Sequence, residues 1–465
     1  MEPTPATTLQ ALTDLWNDLA LPTSILNQIE LTGPLQPLPS SFQIGSAAQS
    51  SIAAAATASV LIYKARSGIA QSVNIDSLKS ALECMARFRI DGVTPDQWAP
   101  LSGLYKTADG YVRVHANFDH HRDAALVSLN LPVGEKTTRE QVNKRVLQVN
   151  SAELDAAISQ AGGASAILLS FEQWDKHPQA QALKSLPLIE ITKVGEADPV
   201  PLSPIDRFTP PLHGTRIVDM TRILAGPICG RTLAAYGADV MLINSPKLPN
   251  IDSIMDTSRG KLSALIDLHS TAGTADIHNV LAAARVLVQG YRPGALAKFG
   301  LSAEVLAERY PGIITVSLSA YGRTGPWSTR RGFDSLVQTA TGFNVAEALA
   351  FDEVTPRALP VQILDYATGF LMAFATQAAL YKQSVEGGSW HVQLSLARTG
   401  SWVRAMGQTT SGLSVSVPDI DSYLQPYPSA YGALEAIDHA AEFSDTPVHW
   451  KIPSSPPGTH APQWI

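Results

Sequence analysis

The fold is decided by residues 215–243, which read TRIVDMTRILAGPICGRTLAAYGADVMLI. Two short apolar runs in this stretch, 215–220 and 239–243, have the length and the β-branched content of buried strands. Between them, Cys229–Tyr236 has the composition of a helix, and Gly237 follows it as a stop signal. A strand–helix–strand unit of this kind predicts a parallel α/β sheet.

The same alternation continues along the chain. The further predicted elements are strands at 262–267, 286–289 and 313–317 and a helix at 272–284. Upstream, the segment 198–214 contains closely spaced prolines, which exclude a continuous helix or a central strand there. We therefore predict a Rossmann-like region at 214–320, preceded by a Pro-rich linker at 201–213.

Composition limits the classes of function. The chain of 465 residues is 45% hydrophobic and 16% charged, which is typical of a globular protein. Its net charge of −7 argues against a nucleic-acid-binding or membrane-binding surface. The two cysteines, Cys84 and Cys229, exclude a disulfide framework and favour a reducing, cytoplasmic location. No targeting segment is expected, and the longest apolar runs, 52–63 and 370–381, fall short of the ~20 residues of a membrane helix.

No motif predicts a permanently bound cofactor. The first strand–helix turn reads AGPICG at 225–230 and lacks the G-x-G-x-x-G pattern of dinucleotide-binding proteins. Walker A and G-x-S-x-G motifs do not occur. His115, His120 and His121 are close in sequence, but we interpret them as surface or loop residues and not as metal ligands.

Two segments of the chain share an order of landmarks. FQIGS at 42–46 and VQILD at 361–365 each precede an apolar helical run that ends in a Tyr-Lys pair. Each run then passes through a glycine-containing turn into an alternating strand. We interpret the two segments as an internal duplication, in which Ser46 stands opposite Asp365.

Asp365 opens the second of these predicted helices. An Asp at a helix start is commonly an N-cap, and the sequence agrees with that role. The same position suits a nucleophile, because the N–H groups and the dipole of a helix N-terminus keep a carboxylate ionised and stabilise an oxyanion beside it. The residues alone leave both roles open.

Ordered motifs across the second half of the chain resemble those of the family III CoA-transferases, the carnitine CoA-transferase and bile-acid-inducible F group. The matching segments are IVDMTRILAGP at 217–227, LAAYGADV at 233–240, RGKLSALIDL at 259–268, QGYRPGALAKFGL at 289–301, VSLSAYGRTGP at 316–326 and RGFDSL at 331–336. The resemblance implies an α/β fold with a Rossmann-like large domain and a smaller α+β domain. It also implies transfer of CoA from an acyl-CoA thioester to a carboxylic acid acceptor.

The resemblance further implies a rearranged, partly duplicated domain order. The segment 101–112 is similar to the small-domain strand pair of the family, which normally follows the catalytic helix. Residues 1–200 would be a partial copy that includes the small domain and lacks the nucleophile. Residues 214–465 would be the Rossmann-like domain with the catalytic Asp and the terminal segment. The family forms interlocked dimers, whereas a fused composite would also be complete as a monomer, so both states stay open.

Roles carry over from the family position by position. Asp365 matches the nucleophile, which forms an acyl–aspartyl anhydride and then an aspartyl–CoA thioester, so that coenzyme A is a substrate moiety and no resident cofactor is required. Contacts to coenzyme A are implied at Arg222, Ile223, Ala225, Ala295, Lys298, Phe299 and Tyr321. Candidate cations for its phosphates are Lys247, Lys261, Arg292 and Lys298.

Several positions depart from the family pattern. Asn244 replaces a frequent acidic residue, and Gly290 replaces a usual Asn. Leu224 stands where formate- and oxalate-handling members have Gln, which argues against that small-acid specificity. Phe333 occupies the position of the second base of the α-methylacyl-CoA racemases, and racemisation is disfavoured because phenylalanine cannot exchange a proton. An inactive CoA-binding protein is a third interpretation.

Overall fold

A computed structural model describes residues 7–465 of the chain. The strands are β1 (Ile29–Thr32), β2 (Val73–Asp76), β3 (Phe88–Ile90), β4 (Gly103–Lys106), β5 (Tyr111–His115), β6 (Ala164–Ile167), β7 (Glu190–Gly195), β8 (Arg216–Met220), β9 (Asp239–Asn244), β10 (Lys261–Leu265), β11 (Val286–Gln289), β12 (Ile314–Ser319), β13 (Ser389–Ser395), β14 (Leu424–Tyr427), β15 (Leu434–Ile437) and β16 (Ala441–Phe443). The α-helices are α1 (Thr8–Asp18), α2 (Ile44–Ser67), α3 (Ser77–Glu83), α4 (Asp119–Ser128), α5 (Arg139–Val146), α6 (Ser151–Gln160), α7 (Phe171–Lys176), α8 (Pro178–Leu183), α9 (Ala225–Ala235), α10 (Ile254–Thr257), α11 (Thr271–Ala282), α12 (Ala303–Arg309), α13 (Asp334–Ala340), α14 (Phe343–Ala350), α15 (Ile363–Glu386) and α16 (Leu396–Ala405). The strands and the helix predicted between 262 and 317 correspond to β10, α11, β11 and β12.

The largest sheet has seven strands in the order β10-β9-β8-β11-β12-β13-β7. The strands from β10 to β13 pair in parallel, and the direction of winding reverses between β8 and β11. The predicted α/β class with a Rossmann-like parallel sheet is confirmed. Open α/β sheets bind ligands beyond the carboxyl ends of their strands at such a reversal, so this edge is where a site is expected.

A smaller α+β unit surrounds the antiparallel sheet β4-β5-β6. Helices α4, α5 and α6 cover the sheet, and the buried core between them includes Val112, Leu126, Val146, Leu154 and Ile158. The strand pair predicted at 101–112 is formed by β4 and the start of β5.

Helices α2 and α15 pack against each other in the main core. Each spans 24 residues, and the Gln that precedes each helix has similar backbone torsions, φ −75° and ψ 53° at Gln43 and φ −79° and ψ 60° at Gln362. The predicted apolar runs at 52–63 and 370–381 are only the middle of these helices. By length and composition both helices are capable of crossing a membrane, but their apolar windows are completely buried inside the protein. Burial in a core therefore accounts for their composition.

The N-terminal and C-terminal parts of the chain exchange edge strands. β7 from the N-terminal part lies antiparallel to β13 in the large sheet. In return, β16 near the C-terminus lies antiparallel to β2 in the sheet β1-β2-β16. The segment 201–213 that joins the two parts contains neither helix nor strand. Each part thus completes a sheet of the other.

The large sheet contains a buried ion pair. Lys261 Nζ donates to Asp219 Oδ2 at 2.8 Å and to the carbonyl oxygen of Pro227 at 2.8 Å, and both charged side chains are 0% exposed. Gly230 of α9 lies directly over this pair, and a Cβ at that position would collide with the Asp219 carboxylate. The pair joins β8 and β10 to the first turn of α9. The prediction that Lys261 binds phosphate is therefore wrong, because its ammonium group is enclosed and already paired.

Candidate active site

A cavity of about 310 Å³ lies beyond the carboxyl ends of β8, β11 and β12. Its size falls at the lower end of the ~300–1,000 Å³ that is usual for small-molecule sites. Its titratable side chains, apart from Tyr291, are Arg222, Arg292, Arg330, Arg331, His120 and His121, and no carboxylate of the described residues lines it. On a chain of net charge −7, this is the local basic cluster that a phosphate-bearing ligand requires.

The arginines of this cavity differ in their partners. Arg330 is held in an ion pair with Asp155. Arg222 and Arg292 donate only to backbone carbonyl groups within residues 7–465. Burial, and next the charge of Arg292, lower the pKa of Arg331, as expected for cations that are clustered without a counter-ion. Arg222, Arg292 and Arg331 are therefore available to an anionic ligand.

The turn between β8 and α9 forms one wall of the cavity. Ile223 lines it with a φ of +78°, in the left-handed region that β-branched residues rarely adopt. Such strain is found at functional sites, where the surrounding structure holds it in place. Arg222 and Ile223 of the predicted CoA-binding turn thus line the cavity, whereas Ala225 lies behind them at the buried start of α9.

Asp365 lies in the first turn of α15 and is 8% exposed. It is the third residue of the helix, Gln362 precedes the helix, and no side chain caps it. The N-cap interpretation of Asp365 is therefore wrong. Within residues 7–465 its carboxylate accepts no hydrogen bond, and its backbone N–H donates to Asp334 Oδ2 at 2.9 Å. A carboxylate without a structural partner is free to act as a nucleophile.

A second carboxylate, which the sequence analysis missed, adjoins Asp365. Asp334 begins α13, follows Phe333 of the cavity wall, and is 0% exposed. It accepts hydrogen bonds from the Asp365 N–H and from Gln338 Nε2. Burial, and next the charge of Asp334, raise the pKa of Asp365, and burial also raises the pKa of Asp334. The expectation that the helix start simply keeps Asp365 ionised is wrong, because two adjacent buried carboxyl groups resist double ionisation.

Close helix packing places Asp365 beside the strained turn. Gly369 lies one turn after Asp365, and a Cβ at this glycine would stand 2.5 Å from the carbonyl oxygen of Ala225. Only a residue without a side chain allows the start of α15 to approach the start of α9 this closely. The contact brings the carboxylate of α15 and the Arg222–Ile223 turn to the same end of the sheet.

Aromatic side chains from the smaller unit close the opposite wall. His115 stacks on Phe333 with ring centroids 3.8 Å apart, and His121 meets the same ring edge-on at 5.8 Å. Both histidines are buried, with 4% and 3% of their surface exposed, so their interpretation as surface or loop residues is wrong. Burial lowers the pKa of each ring to about 3. Both rings are therefore neutral near pH 7.

Some of the predicted CoA contacts lie outside the cavity. Ala295 lines it. Lys298 and Phe299 follow in a short 3-10 helix, with the ammonium 4.8 Å from the ring centroid, and neither lines the cavity. Lys247 also lies outside, with its Nζ 2.7 Å from Asp267 Oδ2. Lys247, Lys298 and Phe299 are called the outer group because they lie outside the cavity lining.

Tyr321 is enclosed behind the cavity wall. Its ring is 1% exposed, and a Cβ at Gly332, which lines the cavity, would lie 2.8 Å from it. The hydroxyl has no hydrogen-bond partner in the described chain, and burial raises the pKa of Tyr321. The structure thus places Tyr321 under the wall and not on its surface.

Within residues 7–465 no group of three or more His, Cys, Asp or Glu side chains has the arrangement of a metal site. Cys84 and Cys229 are both buried and unpaired.

Comparison with known proteins gives several CoA-transferases. The profile of CoA-transferase family III matches residues 26–179 and 212–427. An acyl-CoA transferase of Gibberella moniliformis is 28% identical over 312 residues, 63% of this chain and 55% of the relative. A succinate–glutarate CoA-transferase of Agrobacterium fabrum is 31% identical over 252 residues, 48% of this chain and 62% of the relative. The crystal structure of Rv3272 from M. tuberculosis matches at 30% identity with a TM-score of 0.40, covering 42% of this chain and 56% of that one. The chain spans about half the length of the curated relatives it matches.

Proposed function

The chain belongs to CoA-transferase family III, and from this premise we propose that it transfers coenzyme A from an acyl-CoA to a carboxylic acid through Asp365. The observation that carries the proposal is a buried carboxylate with no structural role, whose backbone N–H bonds Asp334 directly after Phe333 in the wall of a cavity whose charged side chains are all basic. The arginines suit the phosphates of coenzyme A. The carboxylate suits attack on the thioester carbonyl.

The proposed reaction balances without an external oxidant or reductant. An Asp365 oxygen attacks the donor carbonyl carbon and the C–S bond breaks. The CoA thiolate departs, and the product on the enzyme is an acyl–aspartyl anhydride. The thiolate then attacks the aspartyl carbonyl, which releases the donor acid and gives an aspartyl–CoA thioester. The acceptor carboxylate attacks the aspartyl carbonyl of the thioester, which releases the thiolate and gives a second anhydride. The thiolate then attacks the acceptor carbonyl, so the new acyl-CoA leaves and the Asp365 carboxylate is restored. The N-terminal end of α15 stabilises each oxyanion through its dipole.

The contacts to coenzyme A are proposed to have two layers. Arg222, Ile223, Arg292 and Ala295 line the cavity, and Arg331 joins them there. Lys247, Lys298 and Phe299 form the outer group, which a long ligand reaches beyond the cavity. Ala225 and Tyr321 support the wall from behind.

Racemisation is less well supported by the site. A two-base mechanism needs a protonated acid opposite the carboxylate. Phe333 occupies the matching position, and the rings that surround it, His115 and His121, have pKa values lowered to about 3 by burial. Neither ring is protonated near neutral pH, so neither can act as the acid of a two-base mechanism.

Intact-mass measurement after incubation with a panel of acyl-CoA thioesters tests the proposal. We expect a covalent adduct of acyl or CoA mass that hydroxylamine removes, and peptide mapping should locate it at Asp365. The acyl-CoA that forms the adduct identifies the donor. Tight binding of free CoA without any adduct would instead support the inactive, CoA-binding interpretation.

Arg331→Gln is expected to raise KM for acyl-CoA roughly 10-fold or more with little change in kcat, because one charge-assisted contact to phosphate is lost equally in the ground and transition states. Steady-state kinetics at fixed acceptor concentration measure this effect. Arg207→Gln is the matched control, because Arg207 pairs with Asp445 on the surface outside the cavity. Equal KM values for the two variants would contradict a role of Arg331 in binding.

Asp334→Asn is expected to move the acidic limb of the kcat/KM profile to lower pH. Asp365 must be ionised to attack, so activity falls as the pH falls through its pKa. Burial and the charge of Asp334 both raise that pKa. The neutral amide of Asn removes the charge, while its oxygen can still accept the hydrogen bond from the Asp365 N–H. Profiles of kcat/KM against pH for the two proteins measure the shift. A limb that stays in place, or moves to higher pH, would contradict this coupling.

The domain organisation is proposed to be two incomplete copies, 1–200 and 214–465, joined by the linker at 201–213. Support comes from the equal lengths and similar start torsions of α2 and α15. It also comes from the matching sheets, since β1 and β2 pair in parallel with β16 antiparallel at the edge, as β12 and β13 do with β7. The exchange of edge strands within one chain would make the composite complete as a monomer, and a homodimer is the alternative. The buried, unpaired cysteines fit the proposed cytoplasmic location.

A further inference from the structure

A second cavity, of about 270 Å³, lies across the segment 291–293 from the candidate active site. It covers the carboxyl-terminal parts of β11, β12 and β13, and the segment 186–190 and the start of α12 line its sides. Asp365 is not among the residues that line it. The two cavities share a wall that is formed by Tyr291, Arg292, Pro293, Leu318 and Ser319.

The interior of this second cavity is amphipathic. Much of its wall is made of leucines, among them Leu186, Leu188, Leu296, Leu301 and Leu394. Polar side chains line the rest of it, and two of them, the Ser317 hydroxyl and His391 Nε2, already satisfy each other at 2.9 Å. Apolar walls combined with placed polar groups are typical of small-molecule sites.

Arg398, in the wall of this cavity, has no counter-ion among residues 7–465. Arg398 lines both this cavity and a neighbouring one of about 510 Å³. Its Nε is enclosed without a hydrogen-bond partner in the described chain, and burial lowers the pKa of the guanidinium. Of the two other arginines that line it, Arg323 is neutralised by Glu190 at 2.8 Å, and Arg292 also lines the candidate active site. A half-buried guanidinium without a partner is costly unless an anion joins it.

We infer that this cavity binds an amphipathic monocarboxylate, with its carboxylate on Arg398 and its hydrocarbon chain along the leucines. A single guanidinium matches the single charge of a carboxylate and holds it through paired N–H donors. A phosphate dianion would need further cations, and the other arginine without a counter-ion, Arg292, lies in the wall shared with the candidate active site, where it is proposed to bind coenzyme A. The remaining charges at this cavity include the paired Glu190 and the exposed Glu304. The volume of about 270 Å³ suits a short or medium chain. The bound acid is not activated there, because the nucleophile lies outside.

Calorimetric titration with sodium octanoate tests the inference on the full chain. We expect saturable binding to the wild type, about tenfold or more weaker binding to Arg398→Gln, and unchanged affinity in Arg323→Gln. Arg323 is the matched control because it lines the same cavity with its charge already neutralised. Arg398→Lys, which keeps the charge but not the paired donors, should bind with intermediate affinity, and thermal melting confirms that each variant is folded.

Competition separates this site from the proposed catalytic site. Octanoate should bind equally well in the presence of saturating CoA and in Asp365→Asn, whether or not that variant turns over. Displacement of octanoate by CoA would overturn the inference, because it would place the acid in the first cavity. Unchanged affinity in Arg398→Gln, or no saturable heat with the wild type at millimolar octanoate, would also overturn it.

Discussion

Asp365→Asn is expected to lower the rate of CoA transfer by at least about 10³-fold, as is usual when a covalent nucleophile is removed. The amide has nearly the same shape as the carboxylate, and the backbone N–H that donates to Asp334 Oδ2 is unaffected. Removal of one of two adjacent buried carboxyl groups also relieves their repulsion, so the fold should be preserved. Mass spectrometry of acyl-CoA products formed from one donor and one acceptor measures the rate.

Ser46→Ala is the matched control for that experiment. Ser46 lies in the first turn of α2, at the position equivalent to Asp365 in the proposed duplication, and is 5% exposed. Its hydroxyl is not the proposed carboxylate nucleophile, so turnover should equal that of the wild type. Both variants should bind free CoA like the wild type, since the arginines of the cavity are untouched. Substantial turnover in Asp365→Asn would assign the nucleophile to another residue.

Local sequence patterns were sufficient for the parallel strands of the large sheet, whereas its antiparallel edge strand β7 was not predicted. Strand 286–289 coincides with β11, because the three consecutive apolar residues 286–288 suit a strand that is covered on both faces. The order of family motifs also led to Arg222, Ile223, Arg292 and Ala295, which line one cavity, and to Asp365, which lies behind its wall at Phe333 and Asp334. These residues follow directly on strand ends or open a helix, where position along the chain determines position at the site.

The rest of the site depends on contacts between distant parts of the chain. Asp334 is visible in RGFDSL, but its meaning arises only when the start of α13 meets the start of α15. His115 and His121 belong to the smaller unit, and their burial against Phe333 depends on how that unit docks. The only signal in the sequence was that Asp334 belongs to a family motif, and no local rule connects it to Asp365.

The surroundings of Lys261 also could not be predicted from the local sequence. As a lysine in an acidic chain it resembled a phosphate ligand, yet its strand is buried on both faces and its ammonium meets Asp219 on β8. Position 261 is separated from 219 by one strand and two helices in sequence, so only the strand order β10-β9-β8 and the packing of α9 bring the charges together.

Lys261→Met is expected to lower the free energy of unfolding by about 3–5 kcal/mol, because it leaves the Asp219 carboxylate buried without its cation. Urea denaturation followed by far-UV circular dichroism measures the loss. The double variant Lys261→Met with Asp219→Asn should recover most of it, since the neutral amide oxygen can still accept the Thr221 N–H that bonds Asp219 Oδ1 at 3.0 Å. A single variant as stable as the wild type would contradict the assignment of this pair to the core.

The same substitution should also weaken binding of CoA, for a structural reason. Lys261 is bonded to the carbonyl of Pro227 in the first turn of α9, and that turn follows the strained residue Ile223. Strain at Ile223 persists only while the surrounding contacts hold the chain in place. Loss of the ammonium anchor lets the turn relax away from its left-handed conformation, which moves Arg222 in the cavity wall. The double variant restores stability but not this anchor, so its affinity for CoA should stay below that of the wild type.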